Sequence, residues 1–343
     1  MSQQSVHRAR VLYDIIKNEI LSGKYALGDK LPSIRDTAAK YDMSKTTVNT
    51  VFAMLSNDGL ITISKGLGAF VADRSEPKQI VFITCDFFGE LNEYTAVFSA
   101  VQRNLKAGYY ISVIESPKDN EEYIKTLRRV RSMNPAGIIT TPPSRNQPVS
   151  AEECEAINEL YRDIPIVFAI RKLDGINGDY FSVDFGSGMY KALEYFAMQG
   201  KRKVGAVLHE VAKFNSEERK GIRKAVKDFD LECIIETYSE SENNIASLMD
   251  KGVNAIVATS HVLYRNQALI KTYGKSIPGE LSLVSLSDVI YHKMFSPPLT
   301  SISFLADKIG AACAKTVVER IDGTLTGEKI SKNYSPALIP EST

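Results

Sequence analysis

Residues 31–71 constrain this chain more than any other stretch. They read LPSIRDTAAKYDMSKTTVNTVFAMLSNDGLITISKGLGAFV. A short helical pattern follows Pro32-Ser33 and stops at the polar turn Tyr41-Asp-Met-Ser44. A second helical pattern runs from Lys45 to Asp58, where Gly59 ends it. Two β-forming runs, Leu60 to Ile63 and Gly68 to Val71, then flank Ser64-Lys-Gly66. Upstream, Val11, Leu12, Ile15, Ile16 and Ile20 recur at helical spacing, and Gly23 and Gly28 then break the pattern. Three helices and a hairpin in this order make a winged helix-turn-helix, which presents its second motif helix to the DNA major groove.

Composition adds little to that expectation. The 343 residues carry a formal charge of +1, so no global polycation argument for nucleic acid is available. Residues 1–74 hold ten basic and seven acidic side chains, a weak local excess. The four cysteines, Cys85, Cys154, Cys233 and Cys313, have no metal-ligand spacing and read as free thiols of a reducing compartment. The polar start and the lack of any long apolar run predict a cytoplasmic protein without membrane contact.

At residues 74–78 the pattern changes, and this Pro-containing polar stretch is read as a linker between residues 1–73 and 79–343. Beyond it, buried strand patterns alternate with amphipathic helices: strands near 80–84, 110–114, 136–140 and 166–170, then a second series near 204–208, 232–235, 255–258 and 282–285. Apolar strands joined by helical crossovers predict parallel sheets covered on both faces. Two series of similar size predict two lobes: about 79–183 with 301–325, and about 184–300 with 330–343. Their ligand cleft would lie beyond the carboxyl ends of the strands. The fold class expected is α/β, with a winged helix ahead of a two-lobed body.

In the recognition helix, Val48, Val51, Phe52 and Leu55 form the core stripe. Lys45, Thr46 and Asn49 stand on the first turns, free to read bases or merely solvated, and Ser44 is a good N-cap. Arg35 opens the preceding helix, where the local reading is a surface ion pair with Asp36 or Asp42. Lys65, Gly66 and Gly68 serve a phosphate, the minor groove, or only the tight turn.

The stretch resembles the GntR-type winged helix through Leu31, Pro32, Ser33, Arg35, Ala38, Ser44, Thr47, Val48, Leu55, Gly59, Leu60, Gly66, Gly68, Phe70 and Val71. The resemblance implies a DNA-facing set of Ser33, Arg35, Ser44, Lys45, Thr46, Thr47, Asn49, Lys65, Gly66 and Gly68. Lys45, Asn49 and Leu67 stand where the pattern often has Arg, which changes the operator expected, since Arg pairs with guanine and Asn with adenine. From Ile80 onward the chain resembles LacI-type effector domains, which have a periplasmic-binding-protein-like fold. The resemblance is carried by Asn134-Pro-Ala-Gly, Ile164-Pro-Ile-Val-Phe-Ala-Ile-Arg171, Tyr180-Phe-Ser-Val-Asp184, Gln199-Gly-Lys-Arg, Ile277-Pro-Gly-Glu-Leu281 and Pro297-Pro-Leu-Thr-Ser-Ile302. The combination resembles that of arabinose-type repressors.

What the resemblance implies is a homodimeric, operator-binding repressor released by a sugar or sugar derivative held between the lobes. The expected effector residues are Phe87, Tyr94, Arg171, Asp184, Phe185, Arg219, His261 and Asp288, with core packing the favoured role for any one of the aromatics. His261 replaces a frequent acid and belongs either in the cleft or at a dimer interface. With no tryptophan in the chain, it leaves an acidic or phosphorylated sugar among the options. A sensor or protein-interaction module tethered to DNA, without effector-controlled release, is the alternative. No cofactor, metal or enzymatic motif is expected. Gly66-Leu-Gly-Ala lacks the third glycine of a dinucleotide loop, Phe185-Gly-Ser-Gly188 does not fit a nucleophile elbow, and a Cys85–His209 pair lacks an orienting third group.

Overall fold

The computed structural model describes residues 3–64, 66–72, 77–85, 92–116, 120–142, 149–208, 217–238, 244–287 and 291–341. They fall into two compact units, residues 1–77 and 78–343.

The first unit holds helices α1 (Gln3–Leu21), α2 (Ile34–Lys40) and α3 (Lys45–Asn57), then β1 (Ile61–Ser64) and β2 (Gly68–Val71), which pair antiparallel with Ser64 opposite Gly68. Its core gathers Ala9, Leu12, Tyr13, Ile16 and Ile20 of α1 against Val48, Val51, Phe52 and Leu55 of α3. Of the α1 apolar positions that recur at helical spacing, Val11 and Ile15 face outward, 44% and 37% exposed. The buried stripe is set at 9, 12, 13, 16 and 20, because Tyr13 turns inward and bonds the Asp58 carboxylate at the α3 C-cap. That bond, with burial second, raises the Tyr13 pKa.

The second unit contains two six-stranded sheets. The first lobe is built on β3 (Lys78–Thr84), β4 (Tyr109–Glu115), β5 (Gly137–Thr140), β6 (Ile166–Ile170) and β7 (Asp179–Val183), with α4 (Glu93–Asn104), α5 (Asn120–Arg131) and α6 (Ala151–Leu160) as crossovers. The second lobe starts with α7 (Phe185–Met198) and continues through β8 (Lys203–Leu208), α8 (Glu217–Phe229), β9 (Glu232–Thr237), α9 (Asn244–Asp250), β10 (Ala255–Thr259), α10 (Ser260–Arg265), α11 (Gln267–Thr272), β11 (Ser282–Leu286), α12 (Tyr291–Met294) and β12 (Thr300–Ser303). The chain then returns to the first lobe as α13 (Ala306–Ile321) and β13 (Ser331–Tyr334), and crosses once more to end on β14 (Ala337–Ile339). The strand orders are β13-β7-β6-β5-β3-β4 and β14-β12-β11-β10-β8-β9, parallel throughout except for β14, which runs antiparallel to β12.

The lobe assignment expected from sequence is therefore corrected at its C-terminal end. Residues 331–334 belong to the first lobe, paired with β7, and residues 301–303 to the second, paired with β11 and β14. Ser331-Lys-Asn-Tyr334 has no apolar run to betray a strand. It is held from outside: the buried Asp179 carboxylate takes a bidentate bond from Arg320 of α13, at 2.8 and 3.1 Å, and the Ile330 amide at 2.8 Å. Pair and strand both depend on partners about 140–150 residues away in sequence, a non-local constraint no local pattern carries.

Candidate DNA interface and effector site

In the head, Ser44 caps α3, its hydroxyl accepting the Thr47 amide at 3.1 Å and lying 2.9 Å from the Thr47 hydroxyl. Thr47 is thereby drawn into the cap and half-buried, while Ser44, Lys45, Thr46 and Asn49 are exposed. Lys45 and Asn49 are four residues apart and share one helix face. Ser33 caps α2, accepting the Asp36 amide at 3.2 Å and donating to the Asp36 carboxylate at 2.7 Å. With Asp36 so engaged, Arg35 forms no ion pair among the described residues, and neither does Lys45. Two uncompensated cations on exposed first turns are what an anionic backbone needs. In the wing, Gly66 and Gly68 adopt φ of +82° and +115°, which glycine alone reaches without strain. Lys65 lies outside the described residues. A residue missed by sequence reasoning lies beside the hairpin: a Cβ at position 68 would sit 2.9 Å from Cε of Lys30, whose backbone bridges Phe70. Only the folded chain brings Lys30 to the wing, so no local signal pointed to it.

In the body, strand β6 is buried along its whole length. It ends in a bend, with the β-branched Ile170 at φ +69°, a costly conformation that marks a constrained site. The bend releases Arg171 at the carboxyl end of the sheet. Its guanidinium lies 4.1 Å from the ring centroid of Phe185, the first residue of α7 and of the other lobe. Nη2 lies 3.4 Å from Oε1 of Glu218 on α8, also in the other lobe. Arg171 is 28% and Glu218 14% exposed at the side chain, so the pair is shielded but reachable. Burial opposes the Arg171 charge, yet Tyr94, Glu218 and Glu93 offset it and the net direction is upward. Burial likewise pushes the Tyr94 hydroxyl up, keeping it a neutral donor and acceptor. The Arg171 Nε is buried and has no hydrogen-bond partner.

Helix packing sets this cluster. Helices α7 and α8 cross at Gly186 and Gly221. A Cβ on Gly221 would fall 2.0 Å from the Gly186 carbonyl oxygen, and one on Gly186 would fall 2.7 Å from that of Glu217. The crossing holds the α8 N-terminus, with Glu218, against the start of α7. There Asp184 caps the helix by accepting the Ser187 amide at 2.8 Å, and Phe185 meets Phe304 edge-on at 5.1 Å.

Of the expected effector residues, the structure thus brings together Tyr94, Arg171 and Phe185, with Asp184 committed at least in part to capping. Arg219 is half-buried on α8 beside Glu218. His261 packs edge-on against Tyr238 at 5.6 Å, in a grouping with Arg265. Phe87 and Asp288 lie outside the described residues, as does His209. Glu218 was missed: Glu217-Glu-Arg-Lys220 offers four charges with no local mark of the inward one, and only the α7–α8 crossing selects it.

A cation, a carboxylate, a phenol and two aromatic faces can bind a polyol, donating to and accepting from hydroxyls while packing on C–H surface. Among the described residues no group of three or more His, Cys, Asp or Glu could hold a metal ion. None of the four cysteines forms a disulfide among the described residues, and burial pushes Cys233 up to about 12, which makes it a poor nucleophile. No helix of the described residues is long and apolar enough to cross a membrane.

Two family models match the chain: bacterial regulatory proteins of the gntR family over residues 8–71, and the periplasmic binding protein-like domain over residues 193–342. The arabinose metabolism transcriptional repressor of Halalkalibacterium halodurans is 22% identical, across 94% of this chain and 93% of that protein. A periplasmic binding protein/LacI transcriptional regulator from Alkaliphilus metalliredigens, solved with D-xylulofuranose, superposes with a TM-score of 0.64 at 20% identity, over 78% of this chain and 98% of its own. The transcriptional regulator CelR in complex with cellobiose gives 0.63 at 16% identity, over 91% and 99%.

Proposed function

We propose that this chain, a GntR-type winged helix joined to a periplasmic-binding-protein-like body, is a transcriptional repressor that leaves its operator when an uncharged sugar binds between the two lobes. The observation that carries this is the Arg171 cluster. Its groups come from both lobes, and a ligand can shift a two-state equilibrium only if it contacts the two arrangements differently. One relative is named as a repressor of arabinose metabolism, and two structural neighbours were solved with D-xylulofuranose and cellobiose, which supports the ligand class.

The charge balance favours a neutral sugar over the acidic one left open by the sequence. Arg171 already faces Glu218 at 3.4 Å and feels Glu93. An anion would have to displace Glu218 and leave that carboxylate shielded and unpaired, at a cost of several kcal/mol. A hydroxyl instead inserts between the two, accepting from Arg171 and donating to Glu218.

The head reads DNA through Asn49 and Lys45 on α3, with Arg35, Lys30 and Lys65 holding phosphates. One winged helix covers a half-site, so the operator would be palindromic and the working form a two-fold homodimer. Free thiols and a DNA target support a cytoplasmic location.

The test is fluorescence anisotropy on the protein's own promoter, with and without L-arabinose, D-xylulose and cellobiose. Wild type should bind and be released. Release by roughly 100-fold needs about 2.7 kcal/mol of differential affinity, and one charge-assisted hydrogen bond supplies about 1.5–3 kcal/mol. Arg171→Ala should therefore bind the operator and stay on it when sugar is added. An Arg171→Ala variant released like wild type would move the site elsewhere. Operator affinity indifferent to every sugar would favour a DNA-tethered sensor.

A further inference from the structure

We infer that Thr259 is the second lobe's hydrogen-bonding anchor for the effector, paired in function with Nε of Arg171 on the first lobe. The inference rests on the sugar-effector proposal above. Among the described residues four buried side-chain polar atoms have no hydrogen-bond partner: Arg171 Nε, Thr259 Oγ1, Asn254 Oδ1 and Ser301 Oγ. Native proteins pair nearly all such atoms, so each exception calls for a reason.

Position separates the four. Asn254 immediately precedes β10, at the end of the sheet remote from the cleft, and Ser301 lies within β12. Arg171 follows the last residue of β6, and Thr259 is the last residue of β10. Both therefore stand at carboxyl strand ends, where open α/β sheets receive ligands, and they stand there on opposite lobes.

The local geometry of Thr259 strengthens the case. It occupies the N-cap of α10 with extended backbone, φ −63° and ψ +150°, yet its hydroxyl makes no capping bond. A threonine here ordinarily turns its hydroxyl onto the helix amides; Ser33 and Ser44 do so in the head. Side chains alternate along a strand, which sets Thr259 on the face of Ala255 and Val257, away from Ile256 and Ala258. Ala255 and Val257 belong to the core cluster that holds Phe185 and Phe304, whereas Ile256 and Ala258 pack into a separate one. Thr259 thus lies on the sheet face shared with the aromatic floor under Arg171. It is opposite Leu286 of β11 in register, and nothing polar is bonded to its hydroxyl.

The chemistry specifies the ligand group. Arg171 Nε can only donate, while the Thr259 hydroxyl can do either. Hydroxyls satisfy both anchors; an ammonium satisfies neither the Arg171 donor nor its charge. Thr259 is thereby a specificity-determining residue, favouring a polyol long enough to meet both lobes.

The experiment compares the full-length wild type with Thr259→Val, which keeps the shape and removes the hydroxyl, and Thr259→Ser, which keeps the hydroxyl. Melting is followed alone and with L-arabinose, D-xylulose and cellobiose. Without sugar, Thr259→Val should melt about 2–4 °C higher than wild type, because an unsatisfied buried hydroxyl has been removed. With the sugar that stabilises wild type, Thr259→Val should bind roughly five- to tenfold more weakly, the loss of one hydrogen bond, and Thr259→Ser should bind nearly as wild type. A Thr259→Val variant melting lower without sugar would mean the hydroxyl is bonded within the protein, and the inference falls. Equal sugar binding by Thr259→Val and wild type would overturn Thr259 alone, leaving the sugar proposal intact. No stabilisation of wild type by any of the three sugars would overturn both.

Discussion

Gly221→Ala tests how the helix crossing builds the site. The added methyl would stand 2.0 Å from the Gly186 carbonyl oxygen, whereas carbon and carbonyl oxygen approach no closer than about 3.3 Å. The two helices must part by roughly 1.3 Å, the difference between that approach limit and the clearance, since the obstacle is backbone that cannot rotate away. Overpacking of this kind costs about 1–3 kcal/mol, and here the upper end applies. A gain of up to about 1 kcal/mol in helix propensity opposes it. The net loss of about 2 kcal/mol lowers the melting temperature by roughly 4–8 °C. A second consequence reaches the site. Glu218 sits one turn before Gly221, so the same displacement stretches its 3.4 Å contact with Arg171 to roughly 4.7 Å, beyond ion-pair range. Sugar-dependent release should weaken while operator binding by the head persists. Gly186→Ala, with a clearance of 2.7 Å, should show the same defects at smaller size. Calorimetry and anisotropy on the three proteins measure both. A Gly221→Ala protein as stable as wild type, or a Gly186→Ala protein hurt more, would refute the crossing as the determinant.

Two further outcomes are expected. Lys65→Ala should weaken every DNA about equally and reduce the slope of log affinity against log salt by about 1, whereas Asn49→Ala should cost about 1–3 kcal/mol at one base position only; titrations of promoter and scrambled duplexes across salt separate the two, and uniform loss from Asn49→Ala would remove it from base reading. Asp322 is held below the usual carboxylate range, chiefly by the Tyr109 hydroxyl and also by Lys106 and Lys78; its contribution is present above the unfolded value near ~4 and is lost as pH falls through the lower folded value, so Asp322→Asn should melt lower than wild type at neutral pH and the gap should close on acidification, while a gap independent of pH would show that charge is not involved.

The head is almost completely legible in its own residues. The Ser33 and Ser44 caps, the Val48–Leu55 stripe and the glycine hairpin are local devices, readable because each satisfies backbone or buries a face within a few residues of itself. Helical spacing alone does not fix which apolar positions of α1 face in: Val11 and Ile15 face out, and Tyr13 turns in to bind Asp58 across 45 positions. The body's βα series was legible for the same local reason, and Arg171 could be placed because it follows an unbroken apolar strand. Everything else depends on contacts between distant segments. Strand β13 has no apolar pattern and exists because Asp179, Arg320 and Ile330 meet in the fold. Glu218 was chosen from a run of charges, and Lys30 brought to the wing, by packing and pairing of elements far apart in the chain. Thr259 reads in sequence as an ordinary helix cap; its uncommitted hydroxyl is a property of the folded lobe. Local patterns fix which face is buried, but a binding site is made of what two distant segments leave unsatisfied where they meet.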